Sequence, residues 1–425
     1  MSTVAPDEVN VLQLSIHGVL IGYLAGYKNG RNVFSIAETF KNNPQRPTFS
    51  LITHPKFPNA ARLMAEPWSR NQRLHPVLSN LLPEGSLREL IARGLKIHVD
   101  NEFHMFAYLG GDLPGALEAK PISPEEVPDS ALNTHGKATA VPFEKVTQAN
   151  KFSLAGVQMK FSMKEKDGRY TVPDGSTLGD WIIKTPSTRH KLLPLNEYTA
   201  MSLAQLGGVE IPEIKLVGLD TLDHLPPINL PDETYAFAIQ RFDRAGHQRI
   251  HMEDFAQVLV KYPHEKYDAA NYETIGKVIH DFSGDGLADA QQFARRLLVN
   301  ILLANGDAHL KNWSFLYPDR MTPRLSPAYD IVTTQVYIEH ETQYALNLGK
   351  TKNWYTVTMA HFESWAEKSG IPWRVIKPHL DDTLNKARAM WPEALKELPM
   401  EESHKAGLRV HWKKLPKDFR IDPGY

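Results

Sequence analysis

Polar and apolar residues alternate near the start of the chain. Leu12, Leu14 and Ile16 are separated by polar residues, and a His-Gly pair at positions 17–18 precedes the next apolar stretch. A period of two places alternate side chains on opposite faces of a strand, and a glycine-containing pair suits a hairpin turn. The pattern predicts a β-hairpin that opens an N-terminal α/β module, residues 1–115.

The next two segments differ in composition. Residues 116–150 contain several prolines among small polar residues, which predicts a linker on the surface. Residues 151–243 contain short apolar runs, such as Trp181–Lys184, and these predict a β-rich lobe. Within this lobe, residues 195–206 have helical spacing, and Asn196 is predicted to cap that helix.

The remainder of the chain, residues 244–425, is mainly helical in its pattern. The clearest helix is predicted at 290–304, where apolar residues recur at helical spacing until an Asn-Gly pair at 305–306. A strand is predicted at 313–317. A β-rich segment followed by a helical segment predicts an α+β fold of two lobes, in addition to the N-terminal module.

The composition excludes several classes of function. The 425 residues include 48 lysines and arginines against 49 aspartates and glutamates, so the chain is not a globally basic nucleic-acid binder. It contains no cysteine, which excludes disulfides, cysteine nucleophiles, iron–sulfur clusters and cysteine-ligated zinc. An acidic N-terminus and the lack of a long apolar run predict a cytoplasmic protein that does not enter the membrane.

The loop after the predicted 290–304 helix contains the most informative spacing. Asp307 is followed five residues later by Asn312. In protein kinases this spacing lets one short loop supply an aspartate for the proton of the acceptor hydroxyl and an asparagine for a magnesium ion. About one such pair is expected by chance in a chain of this length. This pair lies between a helix and a strand, as the mechanism requires.

Two further residues lie at the positions along the chain that a kinase requires, one before and one after the Asp-Asn pair. Asp330 lies 18 residues beyond Asn312 and is predicted to be a second magnesium ligand, because the metal must bridge phosphate oxygens. Lys184 ends an apolar strand and is predicted to pair with phosphate, with Glu197 of the next helix as its ion-pair partner. An Ile-Val pair follows Asp330, where protein kinases have Phe-Gly.

Two weaker signals complete this order. Residues 153–160 stand where a glycine-rich loop would cover the phosphates, but they contain a single glycine. Residues 240–243 lie at the predicted junction of the lobes, where strand backbone could bind adenine. The candidate residues therefore occur in the order of a two-lobed protein-kinase-like fold: the phosphate loop, the lysine, the junction, the Asp-Asn pair and the second aspartate.

These residues resemble the HipA family, the serine/threonine kinase toxins of bacterial toxin–antitoxin systems. The resemblance covers nearly the whole chain. It rests on LLPEG at 81–85, FSLAGVQMK at 152–160, IIK at 182–184, QRFDR at 240–244, HMEDF at 251–255, NGDAHLKN at 305–312 and YD at 329–330. The resemblance implies an enzyme that uses ATP and Mg²⁺, with Asp307 as the catalytic base. Asn312 and Asp330 would hold the magnesium, and Ser153 would be the site of autophosphorylation.

The resemblance also implies which residues contact ATP. They are Ala155, Gly156, Val157, Gln158, Met159, Lys160, Lys184, Gln240, Arg241, Phe242, His309, Lys311, Asn312, Tyr329 and Asp330. A phosphate on Ser153 would add about −1.5 to −2 charge beside ATP and could eject the loop. Two positions depart from the family pattern: Gln240 replaces a commonly acidic residue, and Met159 interrupts a more polar stretch. Neither departure removes a catalytic group.

Partners and alternatives follow from the same comparison. A helix-turn-helix antitoxin resembling HipB would bind the toxin and recruit it to operator DNA. The protein substrate would belong to translation, and the family suggests an aminoacyl-tRNA synthetase. Two alternatives stay open. One is a small-molecule phosphotransferase of the aminoglycoside type, because the Asp-Asn arrangement also resembles those enzymes. The other is a non-catalytic corepressor that only bridges antitoxin and DNA.

Overall fold

The structure of the chain is a computed structural model. It describes residues 7–132, 136–141, 158–172, 178–226, 228–246 and 248–422. The predicted autophosphorylation site Ser153 and the loop residues Ala155, Gly156 and Val157 lie outside the described residues. None of the helices in the described part is long and apolar enough to cross a membrane.

Strands and helices are distributed along the whole described chain. The strands are β1 Asp7–Ile16, β2 Val19–Tyr27, β3 Arg31–Ile36, β4 Trp68–Asn71, β5 Leu117–Pro121, β6 Gly136–Ala138, β7 Lys160–Lys166, β8 Arg169–Thr171, β9 Trp181–Lys184, β10 Ile214–Gly218, β11 Leu222–Asp223, β12 Tyr235–Gln240, β13 Arg244–Ala245, β14 Gln248–Arg249, β15 His251–Asp254, β16 Ser314–Tyr317, β17 Arg324–Leu325, β18 Gln343–Leu348 and β19 Thr351–Asn353. The helices are α1 Glu38–Lys41, α2 Ala60–Ala65, α3 Pro76–Ser79, α4 Gly85–Gly94, α5 Glu102–Leu109, α6 Leu193–Leu206, α7 Phe255–Val258, α8 Tyr272–Phe282, α9 Gly286–Leu302, α10 Met359–Lys368, α11 Trp373–Glu397 and α12 Glu402–Lys414.

The backbone divides into two compact units. The first comprises Met1–Leu154, Asp243–Pro263 and Leu316–Thr322. The second comprises Ala155–Phe242, His264–Phe315 and Pro323–Tyr425. The division predicted from the sequence, at 1–115, 116–150, 151–243 and 244–425, stays a prediction.

The first unit is built on a sheet with the strand order β4-β3-β2-β1-β5, and β6 adds to β1 in parallel. β1 and β2 form the predicted hairpin, with Ile16 opposite Val19. Leu12 and Ile16 are fully buried in one core, whereas Val9 and Val11 belong to a second cluster. Side chains alternate between the faces of a strand, so each face of the sheet has its own cluster. The predicted alternation is confirmed.

Part of the proline-rich segment that was predicted to be a linker belongs to this sheet. β5 is antiparallel to β1, with Leu12 opposite Pro121, and β6 places Ala138 opposite Val9. An edge strand can end in proline because one side of its backbone needs no partner. The proline content that suggested a loop is therefore compatible with strands at the edge of the sheet.

The β-rich part of the second unit is a sheet with the order β10-β12-β9-β7-β8-β11. β9 lies inside the sheet and is antiparallel to both β7 and β12. Its sequence, WIIK, is apolar up to the final residue, as expected of a strand that is largely covered. The register places Lys160 on one neighbour and Phe237 on the other directly opposite Lys184.

The helix that follows β9 differs from its prediction at one end. α6 begins after Leu192, whose backbone is left-handed with a φ of 55°. It ends at the predicted Gly-Gly pair, where Gly208 has a φ of +87°, a conformation that favours glycine. The prediction that Asn196 caps this helix is wrong. Asn196 lies inside α6, is fully buried, and pairs through its side-chain amide with the backbone N–H and C=O of Thr333.

The helical part of the second unit packs around α9, the helix that precedes the loop containing Asp307. α9 packs against α8 and α11, and the side chains on its apolar face are fully buried. The ring of Phe293 on α9 has centroid distances of 4.4 Å to Trp313 and 5.5 Å to Trp365. Aromatic pairs contribute roughly 0.5–1.5 kcal/mol beyond the burial of their area. This packing holds the end of α9 and thereby the start of the loop that contains Asp307.

Candidate active site

Lys184, at the end of β9, is the centre of a buried ion-pair network. Its side chain is 4% exposed, and Nζ donates to Oε1 of Glu197 on α6 and to Oδ1 of Asp330. Burial by itself would lower the pKa of Lys184, but the carboxylates of Asp330 and Glu197 raise it above its ordinary value. The lysine is therefore charged, and the ion pair expected from the sequence is present.

Asp330 holds a second lysine. Nζ of Lys160 on β7 lies 3.0 Å from Oδ2 of Asp330. Burial would raise the pKa of Asp330, but Lys160 and Lys184 hold it well below its usual range. The backbone of Asp330 is left-handed, with a φ of 54°, which costs a residue other than glycine about 1–3 kcal/mol. The carboxylate is thus ionised and is held in one orientation by two cations.

The loop after α9 is folded by its own asparagines. Oδ1 of Asn305 accepts a hydrogen bond from the backbone N–H of Asp307 at 3.0 Å, and its amide donates to Oδ1 of Asn300 at 2.8 Å. Nδ2 of Asn312 donates to the backbone carbonyl of Asp307 at 2.7 Å. The Asp-Asn spacing seen in the sequence therefore closes one turn and brings the two predicted site residues onto it.

The Asp307 carboxylate is only partly enclosed. Its side chain is 46% exposed, and Oδ1 accepts a hydrogen bond of 2.5 Å from the hydroxyl of Tyr267. Partial removal of solvent raises the pKa of Asp307 above its usual range, and the Tyr267 hydrogen bond acts in the opposite direction. A carboxylate with a raised pKa accepts a proton more readily, which suits a general base.

Asn312 and Asp330 supply the oxygen atoms that Mg²⁺ prefers. Nδ2 of Asn312 donates to the carbonyl of Asp307, so Oδ1 is the amide atom suited to a cation. Within the described residues, no group of three or more His, Cys, Asp or Glu side chains could hold a metal. Proteins usually hold Mg²⁺ with one or two carboxylates together with phosphates and water. The donor set therefore suits a magnesium ion brought in with a nucleotide.

A buried arginine supports the Asn312 segment. Arg296 of α9 donates to the carbonyl of Asn312, and its guanidinium lies 4.4 Å from the ring centroid of Trp313 and 5.3 Å from that of Tyr329. Burial lowers the pKa of Arg296 to about 10, so it stays charged at neutral pH and keeps its cation–π contacts. Tyr329 in turn donates to the carbonyl of Lys311 at 2.8 Å. These contacts join the segments of the two predicted magnesium ligands.

His309 is a neutral residue of the same loop. Burial lowers the pKa of His309 to about 3. Its Nε2 lies 3.8 Å from Oδ1 of Asp307, too far for a hydrogen bond, and its ring meets Tyr267 edge-on with a centroid distance of 5.0 Å. An imidazole without charge forms no ion pair with the Asp307 carboxylate. Contact between His309 and the nucleotide stays a prediction.

The predicted adenine segment lies at the end of β12. Gln240 is exposed, whereas Arg241 is buried and donates through Nη1 to Oγ of Ser162 at 2.8 Å. The ring of Phe242 has a centroid distance of 5.5 Å to Tyr329. This contact brings the junction segment beside the residue that precedes Asp330 in sequence. Adenine binding at the junction stays a prediction.

Three residues of the predicted phosphate loop are described, and one of them is Lys160, which pairs with Asp330. The carbonyl of Met159 accepts the N–H of Thr185 at 3.0 Å, and Met159 is buried. Nε2 of Gln158 is buried and has no hydrogen-bond partner among the described residues. Buried donors without a partner are uncommon in folded proteins, and this one is of the kind that a phosphate oxygen could satisfy.

Tyr267 and Arg296 were missed at the level of the sequence. Arg296 follows Phe293 by three positions on the predicted 290–304 helix, so it shares the buried face, and a charge on that face was a usable signal. Tyr267 lies 40 residues before Asp307 in a polar segment without clear periodicity. No local pattern connects the two, so only the folded structure could reveal this contact.

The fold combines a β-rich part with a helical part. Its site contains a strand lysine paired with a helix glutamate, an Asp-Asn loop and a second aspartate. These features define the two-lobed kinase-like class of fold. The family models described as "HipA-like C-terminal domain" and "HipA N-terminal domain" match residues 152–391 and 12–120. The chain therefore belongs to the HipA family, and the resemblance and the fold class predicted from the sequence are confirmed.

Relatives support this assignment over nearly the whole chain. Y4dM of Sinorhizobium fredii, a candidate kinase by its name, is 37% identical over 398 residues, covering 92% of this chain and 94% of Y4dM. The serine/threonine-protein kinase toxin HipA of Shewanella oneidensis is 24% identical over 391 residues, covering 84% and 85%. The solved complex of Shewanella oneidensis HipA, HipB and operator DNA contains a chain of the same fold. That chain has a TM-score of 0.68 and 20% identity, and the match covers 94% of this chain and 95% of that chain.

Proposed function

We propose that this chain is the toxin of a bacterial toxin–antitoxin pair and acts as an ATP- and Mg²⁺-dependent serine/threonine protein kinase. The observation that carries the proposal is the convergence, within one compact unit, of the Lys184–Glu197 pair, Asp330 and the loop from Asp307 to Asn312. Phosphoryl transfer requires cations for the phosphates, ligands for the metal and a base for the acceptor, and these groups meet each requirement.

In the proposed reaction, Asp307 accepts the proton of the acceptor hydroxyl while that oxygen bonds to the γ-phosphorus of ATP. The bond between the γ-phosphorus and the oxygen that bridges to the β-phosphate breaks, and ADP leaves. Lys184, oriented by Glu197, and Lys160 neutralise charge on the phosphates. Asn312 and Asp330 would hold Mg²⁺, which when bound supplies electrostatic stabilisation of the phosphate oxygens. Positioning and electrostatics therefore supply most of the rate.

The kinase is proposed to regulate itself through Ser153. A phosphoserine at this position would add about −1.5 to −2 charge to a loop that otherwise receives phosphate groups. Like-charge repulsion would then oppose ATP binding and switch the enzyme off. The proposal rests on the family resemblance of residues 152–160.

The proposed partners are a helix-turn-helix antitoxin of the HipB type and operator DNA. The solved complex of the Shewanella relative with HipB and its operator supports this proposal. A net charge of −1 favours recruitment to DNA through the antitoxin over strong direct binding. The substrate is proposed to be a protein of translation, with an aminoacyl-tRNA synthetase as the family's suggestion.

The test is incubation of the purified chain with labelled ATP and Mg²⁺, followed by mapping of the labelled residue by mass spectrometry. We expect label at Ser153 and a loss of at least about 100-fold in rate in Asp307→Asn, which removes the base and keeps the side-chain size. Asp381→Asn, on the exposed surface of α11, should label normally. Ser153→Ala should still bind ATP and lack label at that position.

Other results would refute the proposal in distinct ways. Label at Ser153 that persists in Asp307→Asn would show that this aspartate is not the base. Label that enters an added aminoglycoside and no protein would favour the small-molecule phosphotransferase. ATP binding without transfer, by a chain that mass spectrometry shows to be unphosphorylated, would favour the non-catalytic corepressor.

A further inference from the structure

The carboxylate of Asp307 has one direct hydrogen-bond donor among the residues that the structure describes. This donor is the hydroxyl of Tyr267, 2.5 Å from Oδ1. The backbone of Asp307 is anchored through Asn305 and Asn312, but those bonds do not restrict rotation of its side chain. The Tyr267 hydrogen bond is therefore the contact that can select one orientation of the carboxylate.

The fold holds Tyr267 in place for this contact. The backbone N–H of Leu310 donates to the carbonyl of Lys266 at 3.2 Å, so the segment before Tyr267 is tied to the Asp307 loop. The Tyr267 ring meets the His309 ring at an interplanar angle of 83°, an edge-to-face arrangement that aromatic rings favour. Tyr267 is nevertheless 39% exposed, so packing of a core does not by itself account for the residue.

We propose that Tyr267 is a positioning residue for the base of the phosphoryl transfer. By donating to Oδ1, its hydroxyl holds the carboxylate of Asp307 so that Oδ2 is the oxygen left to accept the proton of the acceptor. A hydrogen bond to a carboxylate is stronger than one between neutral groups, which makes a single tyrosine sufficient for this task. The inference deepens the proposed kinase function and rests on it.

The first test is Tyr267→Phe, which removes the hydroxyl and keeps the ring on His309. Autophosphorylation is followed over time with ATP and Mg²⁺ as the probes, at several ATP concentrations. We expect the maximal rate to fall about 10- to 100-fold, because small displacements of a reacting group cost rates of this order. The ATP concentration at half-maximal rate should change less than twofold. Tyr108→Phe, an exposed tyrosine outside the second unit, should match the wild type.

Three outcomes of this experiment would overturn the proposal. A maximal rate within twofold of the wild type would show that the hydroxyl does not position the base. A faster rate would show that the hydroxyl occupies the place of the acceptor and obstructs it. A loss of rate together with a large change in ATP dependence would place Tyr267 in nucleotide binding and would also refute the positioning role.

A second measurement does not depend on turnover. With 3-fluorotyrosine at position 267, the ¹⁹F signal should shift between the wild-type background and Asp307→Asn, because the amide replaces the carboxylate that receives the hydrogen bond. An unchanged signal would overturn the contact. A wild-type chain that transfers no phosphate would refute the proposed function, and this comparison would then decide by itself whether Tyr267 holds the carboxylate.

Discussion

Replacement of Lys184 by methionine should destabilise the second unit, because it leaves a buried carboxylate without its cation. The side chain of Glu197 is 3% exposed and pairs with Lys184, whereas Asp330 keeps Lys160 after the substitution. Methionine is close to lysine in length, so the substitution removes the charge and leaves little empty space. The effect should therefore report electrostatics and not a cavity.

The expected magnitude follows from the burial of the pair. Two unit charges about 3 Å apart attract by roughly 5 kcal/mol at an effective dielectric constant of 20. Removing one partner of a buried pair costs about 3–5 kcal/mol in measured cases. Burial already raises the pKa of Glu197, and loss of Lys184 will raise it further, so the carboxylate can escape the cost by taking up a proton.

The sign of the pH dependence is fixed by this raised pKa. A glutamate with a raised folded-state pKa contributes stability below its unfolded pKa, and that stability is lost as the pH rises through the folded pKa. Lys184→Met should therefore lose about 3–5 kcal/mol relative to the wild type at pH 8 and clearly less at pH 5. Urea unfolding followed by tryptophan fluorescence at both pH values measures the difference.

A second variant separates stability from function. Lys184→Met combined with Glu197→Met should recover most of the lost stability, because a buried ion pair replaced by apolar residues is often neutral in stability. It should remain unable to transfer phosphate. Lys377→Met, which breaks the exposed pair with Asp381 on α11, should change stability by less than about 1 kcal/mol. The reasoning fails if Lys184→Met is as stable as Lys377→Met, or if the double variant recovers nothing.

Three further predictions concern other buried polar groups. Burial raises the pKa of Glu253 to about 7, so the stability that this group contributes below pH 4.5 is lost as the pH rises through 7. The gain in Tm from Glu253→Gln should therefore grow between pH 5 and 8. A difference in Tm that stays constant over this range would contradict the prediction. Burial lowers the pKa of His411 to about 4, so the stability that this group contributes above pH 6.5 is lost as the pH falls towards 4. In calorimetry, the Tm of His411→Gln should therefore fall less between pH 6.5 and 4 than the Tm of the wild type. An equal fall in both would mean that the imidazole is charged in the folded state. Asn196→Ala leaves the backbone N–H and C=O of Thr333 without their partner and should cost about 2–4 kcal/mol in urea unfolding, whereas a loss under 0.5 kcal/mol would mean that water replaces the amide.

Several features were predictable from the sequence because their causes are local. Alternation at Leu12–Ile16 requires only that one face of a strand be apolar, and the hairpin formed as predicted. The apolar WII run predicts a covered strand by its composition alone, and β9 formed there. The Asp307–Asn312 spacing works within one turn, which hydrogen bonds between neighbours close.

Other features depended on contacts between distant parts of the chain. Asn196 looked like a cap because asparagine favours that position, but its partner Thr333 lies 137 residues away. The prolines after residue 116 suggested a linker, but the first part of that segment forms β5, which pairs with β1 at the edge of a sheet. Local propensity is a weak guide where a distant segment supplies the missing hydrogen bonds.

The sequence by itself determined the kinds of elements, their order and the family of residues that would meet at the site. The Lys184–Glu197 pair was predicted from the sequence, but only the tertiary structure decided the partners of Asp330 and Asp307. Asp330 receives Lys184 from 146 residues away and Lys160 from 170 residues away, and Asp307 receives Tyr267 from 40 residues away. Hydrophobic periodicity specifies which face of an element is buried, but it says nothing about the partner of a polar side chain. That choice is made by the packing of whole elements, because an ionised group in a low-dielectric interior must find its counter-ion there.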